Sequence, residues 1–412
     1  QPLLAKIGRI NSQGIGEVLD KNGKPLLEVP FTLPDEIIQY DDDSININSI
    51  SFKLTSPHRT NPLCPQFKKC GGCSLQHASK SFVNDWKKSI VVQELAKKKL
   101  YPKFRNTFVT PERSRRRAVF SGRRTKKGTI VGFKATRTDH IVSVVGCIII
   151  DKKILSFLPG MEMITASACT RSSKIKIYVS VSHNGLDVLV KDGKLLNRDL
   201  RTKLVSIAVE YNIARLSWDG ELIALIKPPI QTLGMATIIP PEEFFMQATK
   251  EAEMAMVDDV CESLENENAV VDLFSGFGTF ALPLAKTKNI IAFEKSSEML
   301  TALDLASRRT PNLKAINTCV RNLYKNPVSK DELSRIDGAV INPPRAGAPA
   351  QCKELSRSDI KTIVLVSCNP ITFASDAEIL SKGSYILDWV RVIDQFRWSH
   401  HVEVIAKFSK IF

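Results

Sequence analysis

Val271-Asp272-Leu273-Phe274-Ser275-Gly276-Phe277-Gly278-Thr279-Phe280-Ala281 sets a Gly-x-Gly-x-x-Ala turn at the end of an apolar run. Such a turn between a strand and a helix lets backbone approach a ligand closely, and the helix N-terminus beyond it supplies free N–H groups. Glu294 follows about 20 residues on, at the end of the next apolar run, where a carboxylate can accept hydrogen bonds from ribose hydroxyls. The loop by itself does not separate NAD from S-adenosylmethionine. Around it, buried-strand runs at 269–274, 290–294, 339–342 and 363–367 alternate with helical segments. That alternation predicts an α/β, doubly wound and mostly parallel sheet beginning beyond Pro240-Pro241.

The ends of the last two runs narrow the chemistry. One is followed by Asn342-Pro343-Pro344-Arg345 and the other by Cys368-Asn369-Pro370. Strand ends and the loops after them form the ligand crevice of an open α/β sheet. A dehydrogenase accounts for neither segment. Asn-Pro-Pro also occurs in amino-group methyltransferases acting on bases, but an aromatic residue usually follows there, and amino methylation needs no thiol. A thiol, a proline-rich loop and a later carboxylate, Glu403, suggest covalent chemistry on an electron-poor ring. The plain alternatives are a buried small hydrophobe for a cysteine, the reading for Cys169, Cys261, Cys319 and Cys352, and a solvent-facing strand residue for Glu403.

A formal charge of +15 and a pI near 9.4 favour a polyanionic partner through phosphate contacts and counterion release. Arg113-Ser-Arg115-Arg116-Arg117 and Arg123-Arg124-Thr-Lys126-Lys127 flank Ala118-Val119-Phe120 and read as a basic strand-turn-strand suited to nucleic acid, the plain alternative being a solvated face. The apolar run at 141–150 is broken by Ser143 and Gly146, and no run approaches the roughly 18 residues of a membrane span. No signal peptide is evident, so a cytoplasmic protein with reduced or metal-bound thiols is expected from its nine cysteines. Nothing demands more than a monomer.

Three parts are expected. Residues 1–56 read as short strands between turn signals, a small β-barrel. Residues 57–240 hold a Pro- and Cys-rich loop, a helix near 82–99 and then mainly strands, with hairpin signals at Lys126-Lys-Gly128, His183-Asn-Gly185 and Lys191-Asp-Gly193. Residues 241–412 carry the α/β pattern.

Ser367-Cys368-Asn369-Pro370-Ile371-Thr372, then Asp394-Gln395-Phe396 leading to His401-Val402-Glu403, closely resemble the RNA uracil-C5 methyltransferase family, in particular its iron–sulfur branch acting on 23S ribosomal RNA. The resemblance covers nearly the whole chain. It implies a class I, Rossmann-like S-adenosylmethionine-dependent catalytic domain. It also implies a TRAM-type RNA-binding barrel at Gly14-Ile-Gly16-Glu17 and Leu33-Pro-Asp35-Glu36, and a central mainly β iron–sulfur domain, with the helix near 82–99 packed on the catalytic domain. By resemblance Cys368 is the nucleophile that adds to C6 of a flipped uracil, and Glu403 the base that removes the C5 proton. Methyl-donor contacts fall to Gln247, Phe274, Thr279, Glu294, Asn322 and Asn342. The thiol would need a lowered pKa, with Arg345 a candidate neighbour. The family usually has Asp at Asn342, Asn at Thr249, Arg at Ser375 and Pro at Arg397.

Cys64-x5-Cys70-Gly-Gly-Cys73 gives three thiols in a tight loop, with Cys147 the natural fourth. Spacing leaves zinc and a [4Fe–4S] cluster open, and the resemblance favours the cluster in a structural role. His77 reads as a packing or surface histidine. The implied substrate is ribosomal RNA. Transfer RNA, or RNA binding through an inactive methyltransferase site, are the alternatives.

Overall fold

A computed structural model describes residues 2–41 and 49–412. Its largest sheet has nine strands among the described residues. The order runs Ile316–Val320, Asn289–Glu294, Ala269–Leu273, Gly338–Ile341, Thr362–Ser367, Glu403–Lys410, Tyr385–Asp394 and Lys103–Phe104, with Phe108–Val109 also paired to Tyr385–Asp394. The first five strands are mutually parallel. Gly338–Ile341 and Thr362–Ser367 are buried at every residue, because helices cover both faces of the sheet, and so they read as unbroken apolar runs.

One antiparallel insertion positions the site. Glu403–Lys410 slots between Thr362–Ser367 and Tyr385–Asp394, antiparallel to both, with Ser367 opposite Val404. Continuing that register by one residue sets Cys368 beside Glu403. The two arrive from strands of opposite direction at the same edge of the sheet, the crevice edge of a doubly wound fold.

The helix near 82–99 spans Lys80–Lys97, starting where the Ser79 side chain accepts the Phe82 N–H. Its Val91 and Leu95 share a core with Val271, Leu365, Phe373 and Phe408 of the nine-stranded unit.

The central segment builds a seven-stranded sheet, again among the described residues, ordered Ile141–Ser143, Gly128–Lys134, Arg117–Thr125, Lys174–Ser182, Gly185–Lys191, Ile213–Trp218 and Glu221–Leu225. The signals at 126–128 and 183–185 are antiparallel hairpins. Lys191-Asp192-Gly193 is not. It leads into the helix Arg198–Glu210 and back to Ile213–Trp218, which lies parallel to Gly185–Lys191. With Leu158–Ala168 as a second helix, this segment is mixed α/β rather than mainly β. The signal was present in Asn197 as N-cap and in the helical spacing of Leu200, Leu204, Ile207 and Ala208.

The N-terminal strands form two three-stranded antiparallel sheets around Ile7, Val29 and Ile38. The pairings among the described residues do not close them into one barrel, and residues 42–48 lie outside the description. Among the described residues no helix is long and apolar enough to cross a membrane.

Candidate active site

Cys368 sits between Thr362–Ser367 and the helix Pro370–Lys382, whose N-cap Asn369 accepts the Ile371 N–H. Asn369 Nδ2 and Thr372 Oγ1 both donate to the Arg345 carbonyl, at 3.1 and 3.0 Å. Asp376 on the same helix accepts the Ala348 N–H at 2.9 Å. The Asn342-Pro-Pro-Arg loop is thereby strapped to the helix that follows the thiol. Gly347 makes this possible: its φ is +73°, and an added Cβ would lie 2.9 Å from Asp376 Oδ2 and from Thr372 Cβ.

The thiol itself departs from expectation. Its pKa is raised, first by burial and then by the charge of Glu403, while its own backbone N–H and Arg345 pull the other way. Arg345 does favour the thiolate, but desolvation outweighs it in the free protein.

Glu403 is buried because its strand is internal to the sheet, which overrides the solvent-facing reading of an alternating strand. Burial pushes its carboxyl up to about 7, against the hydrogen bond from Gln395. A carboxylate poised near neutrality is suited to general-base work. Proton uptake by Glu403 requires its ionised form, so turnover should rise with pH through about 7 and fall away below it. The raised thiol works in the same direction. A rate profile between pH ~6 and ~8 would show this limb. In Glu403→Gln turnover should collapse at every pH, and unchanged turnover there would remove Glu403 from the chemistry.

The ligand-type loop has Phe274, Gly276 and Gly278 in the left-handed region, at φ 62°, 56° and 100°. Both Glu294 oxygens are engaged by backbone, Oε2 by Gly276 N–H at 2.9 Å and Oε1 by Ser296 N–H at 3.1 Å. At Gly278 the φ of +100° is one that side chains rarely adopt, so the loop needs glycine there. Thr279 falls in the turn, and the helix after it, Ala281–Leu284, is a single turn. Its dipole is accordingly small, and the ligand-facing N–H groups belong to the turn. Asn322 Oδ1 accepts the Tyr324 N–H at 3.0 Å, and the Tyr324 ring lies 5.6 Å from that of Phe274. The Asn342 N–H donates to Leu273 O at 3.2 Å. These residues give a glycine cradle, an acid, an amide and an aromatic face, a set that fits a nucleoside-bearing ligand.

Gln247 joins the other end of the site. Gln395 Nε2 donates to Gln247 Oε1 at 2.8 Å and to Glu403 Oε2 at 3.2 Å. Thr249 caps the helix Lys250–Ser263 by accepting the Ala252 N–H, a role asparagine fills equally. Arg397 donates to Thr110 O and lies over the Trp398 ring.

Cys64, Cys70, Cys73 and Cys147 line one cavity of about 670 Å³, and Cys368, Arg345, Phe396, His400 and His401 line it too. The cysteine loop and the candidate nucleophile therefore share a chamber. Ser74 and Leu75 N–H both donate to Trp398 O, at 2.8 and 3.0 Å, tying the cysteine loop to the segment that precedes Glu403. Burial, with the neighbouring cysteines, pushes the Cys73 thiol up to about 12. Among the described residues, no three or more His, Cys, Asp or Glu side chains are gathered to grip a metal ion. His77 is buried against Phe31 and Phe67 rather than lining the chamber.

The arginine run corrects the expectation of a free basic face. Arg116 is buried, paired with Glu253 and donating to Gln247 O. Arg117 donates to Met246 O and lies over Phe245. Arg115 donates to Arg117 O, and burial lowers its pKa. Arg116 and Arg117 clamp the central sheet to the segment carrying Gln247, while Arg115 lies over Phe396 and lines the chamber with Cys368. Arg113, Lys126 and Lys127 remain exposed.

Sequence reading missed Lys87, and it quoted Asp394 and Gln395 in a motif without a role for either; Lys87 and Asp394 form a wholly buried ion pair at 2.7 Å. Lys87 sits on the apolar side of its helix with Val83 and Val91, a placement that signals a buried partner without naming it.

Residues 236–410 match the tRNA (Uracil-5-)-methyltransferase family. The chain is 38% identical over 411 residues to an uncharacterized RNA methyltransferase of Rhizobium meliloti, covering 98% of each. It is 28% identical to the 23S rRNA (uracil(1939)-C(5))-methyltransferase of Shewanella woodyi, over 98% of this chain and 95% of that one. Among solved structures, the Pyrococcus abyssi tRNA (uracil-54, C5)-methyltransferase in complex with S-adenosyl-L-homocysteine shares the fold. It superposes with a TM-score of 0.73 at 21% identity, over 98% of this chain and 100% of that one.

Proposed function

The chain belongs to the S-adenosylmethionine-dependent RNA uracil-C5 methyltransferase family, and we propose that it methylates C5 of a specific uridine in 23S ribosomal RNA through a covalent bond between Cys368 and C6. The observation that carries this reading is the strand register that sets Cys368 beside a buried, near-neutral Glu403.

Bound S-adenosylmethionine supplies an electrophilic methyl group. Gln247, Phe274, Thr279, Glu294, Asn322 and Asn342 would hold it. Carbon 5 of uracil is too weak a nucleophile unaided, and addition of the Cys368 thiolate to C6 makes C4–C5 an enolate. After C5 is methylated, Glu403 takes the C5 proton, the C5–C6 double bond reforms and Cys368 leaves as thiolate. Arg345 favours that thiolate from across the chamber. The base reaches such a pocket only from a loop or by leaving its stack.

Ribosomal rather than transfer RNA is supported by the full-length likeness to the Shewanella woodyi enzyme and by the four-cysteine chamber. The +15 charge supports phosphate contacts, and the two N-terminal sheets are the proposed RNA-contacting module. Cys64, Cys70, Cys73 and Cys147 would hold a [4Fe–4S] cluster, four thiols around one cavity suiting a multi-atom group. Its part here is structural, since methyl transfer of this kind moves no electron. Anaerobically purified protein should contain iron and absorb broadly in the visible. Zinc in its place would overturn the assignment.

The reaction is tested with RNA carrying 5-fluorouridine. Fluorine cannot leave as a proton, so the protein should stall as a stable protein–RNA adduct on 23S fragments when the methyl donor is present. An adduct on transfer RNA alone would reverse the choice of substrate, and no adduct on either would refute the reading.

A further inference from the structure

Gln395 sits at the junction of the two halves of the site, and its hydrogen bonds have only one consistent polarity. The Ala248 backbone N–H lies 3.0 Å from Gln395 Oε1 and can only donate. The amide oxygen of Gln395 must therefore face Ala248, which turns its NH2 toward Gln247 Oε1 at 2.8 Å and Glu403 Oε2 at 3.2 Å. Two hydrogens meet two acceptors. The hydrogen bonds among the described residues engage Gln247 through Oε1 and Glu403 through Oε2, which leaves Gln247 Nε2, a donor, and Glu403 Oε1, an acceptor, for other groups.

The backbone around Gln395 is fixed as firmly. The Lys87 ammonium bonds Asp394 Oδ1 on one side of it, at 2.7 Å, and Phe396 O on the other, at 3.2 Å. Thr110 N–H donates to Asp394 O. We propose that Gln395 is a positioning residue: it orients Glu403 so that Oε1 meets the C5 proton, and it fixes Gln247 so that its NH2 points to the ligand. This rests on the proposed reaction. An amide suits the place physically, because a cation donating to Glu403 would hold the carboxylate charged and weaken it as a base. The step it serves is balanced: the C5–H bond breaks, the proton passes to Glu403 Oε1, and its electron pair reforms C5–C6 as the Cys368 sulfur leaves.

Gln395→Glu tests this with little change of shape. Ionised, it keeps an acceptor for Ala248 N–H and donates to neither partner, and protonated it has a single hydrogen for two acceptors. At saturating RNA and methyl donor, turnover should fall ~10- to 100-fold, short of the roughly 10²- to 10⁴-fold of a lost general base because Glu403 itself remains. A covalent protein–RNA complex should then accumulate on ordinary uridine RNA, because the methylated adduct cannot eliminate. The adduct on 5-fluorouridine RNA should keep its wild-type yield. A purely structural role predicts no accumulation. If Gln395→Glu fails to fold, Gln395→Met, uncharged and of similar length, goes through the same measurement. Normal turnover without accumulation in either folded variant overturns the proposal, as does loss of the 5-fluorouridine adduct, which would place Gln395 before proton removal. Absence of that adduct in wild type would sink the proposed reaction itself.

Discussion

Cys368→Ala is expected to abolish turnover, by roughly 10⁴-fold or more, and to form no adduct with 5-fluorouridine RNA. The magnitude follows from the role. No other cysteine is an evident substitute: Cys352 is buried in the sheet core, and the chamber cysteines sit on the loop at 64–73 and at 147. The fold should be untouched, because Cys368 is only half-buried and the cap of Pro370–Lys382 is supplied by Asn369. RNA binding, carried by the rest of the surface, should persist. Unimpaired methylation by Cys368→Ala would exclude the covalent route through Cys368. The raised thiol of the free protein sharpens the expectation. If burial is what holds the thiol up, adduct formation should accelerate with pH, in step with the limb assigned to Glu403.

Lys87→Met should destabilise the protein by about 3–5 kcal/mol, the usual cost of leaving one charge of a buried pair without its partner. Both side chains are essentially out of water, and the pair joins a helix near the N-terminus to the end of Tyr385–Asp394. Removing the ammonium also strips a donor from Phe396 O and loosens the backbone on both sides of Gln395. Adduct formation should therefore fall along with stability. The double variant Lys87→Met, Asp394→Leu should regain much of the loss, since replacing both partners with apolar groups is often neutral or better. Chemical unfolding of the wild type and the two variants measures this. A single-variant cost below about 1 kcal/mol would mean that water reaches the pair and that it is no strut.

Much of the molecule was legible because its signals are local. The strand runs at 269–274 and 363–367 needed only apolar residues, and the Gly276/Gly278 turn needed only backbone sterics. The caps at Ser79 and Asn369 are local signals too, although neither was read as a helix start. The helix Arg198–Glu210 was equally local, and only the density of neighbouring strand signals hid it. The parallel return after Lys191-Asp192-Gly193 was different, since a glycine-containing turn says that the chain bends and not which strand it meets next.

The residue types of the site, a thiol, a carboxylate and a glycine cradle, were likewise written in the sequence by itself, together with the positive charge that selects a polyanion. What only the tertiary structure decided is environment and partnership. It buried Glu403 by inserting its strand between two others, and it turned Arg116 and Arg117 from a basic surface into a clamp. It opened one chamber between the four cysteines and Cys368, and it placed Lys87 against Asp394. The reason is common to all four. A side chain's pKa, charge exposure and hydrogen-bond polarity depend on groups hundreds of residues away along the chain, and no local pattern records which distant strand or helix will arrive beside it.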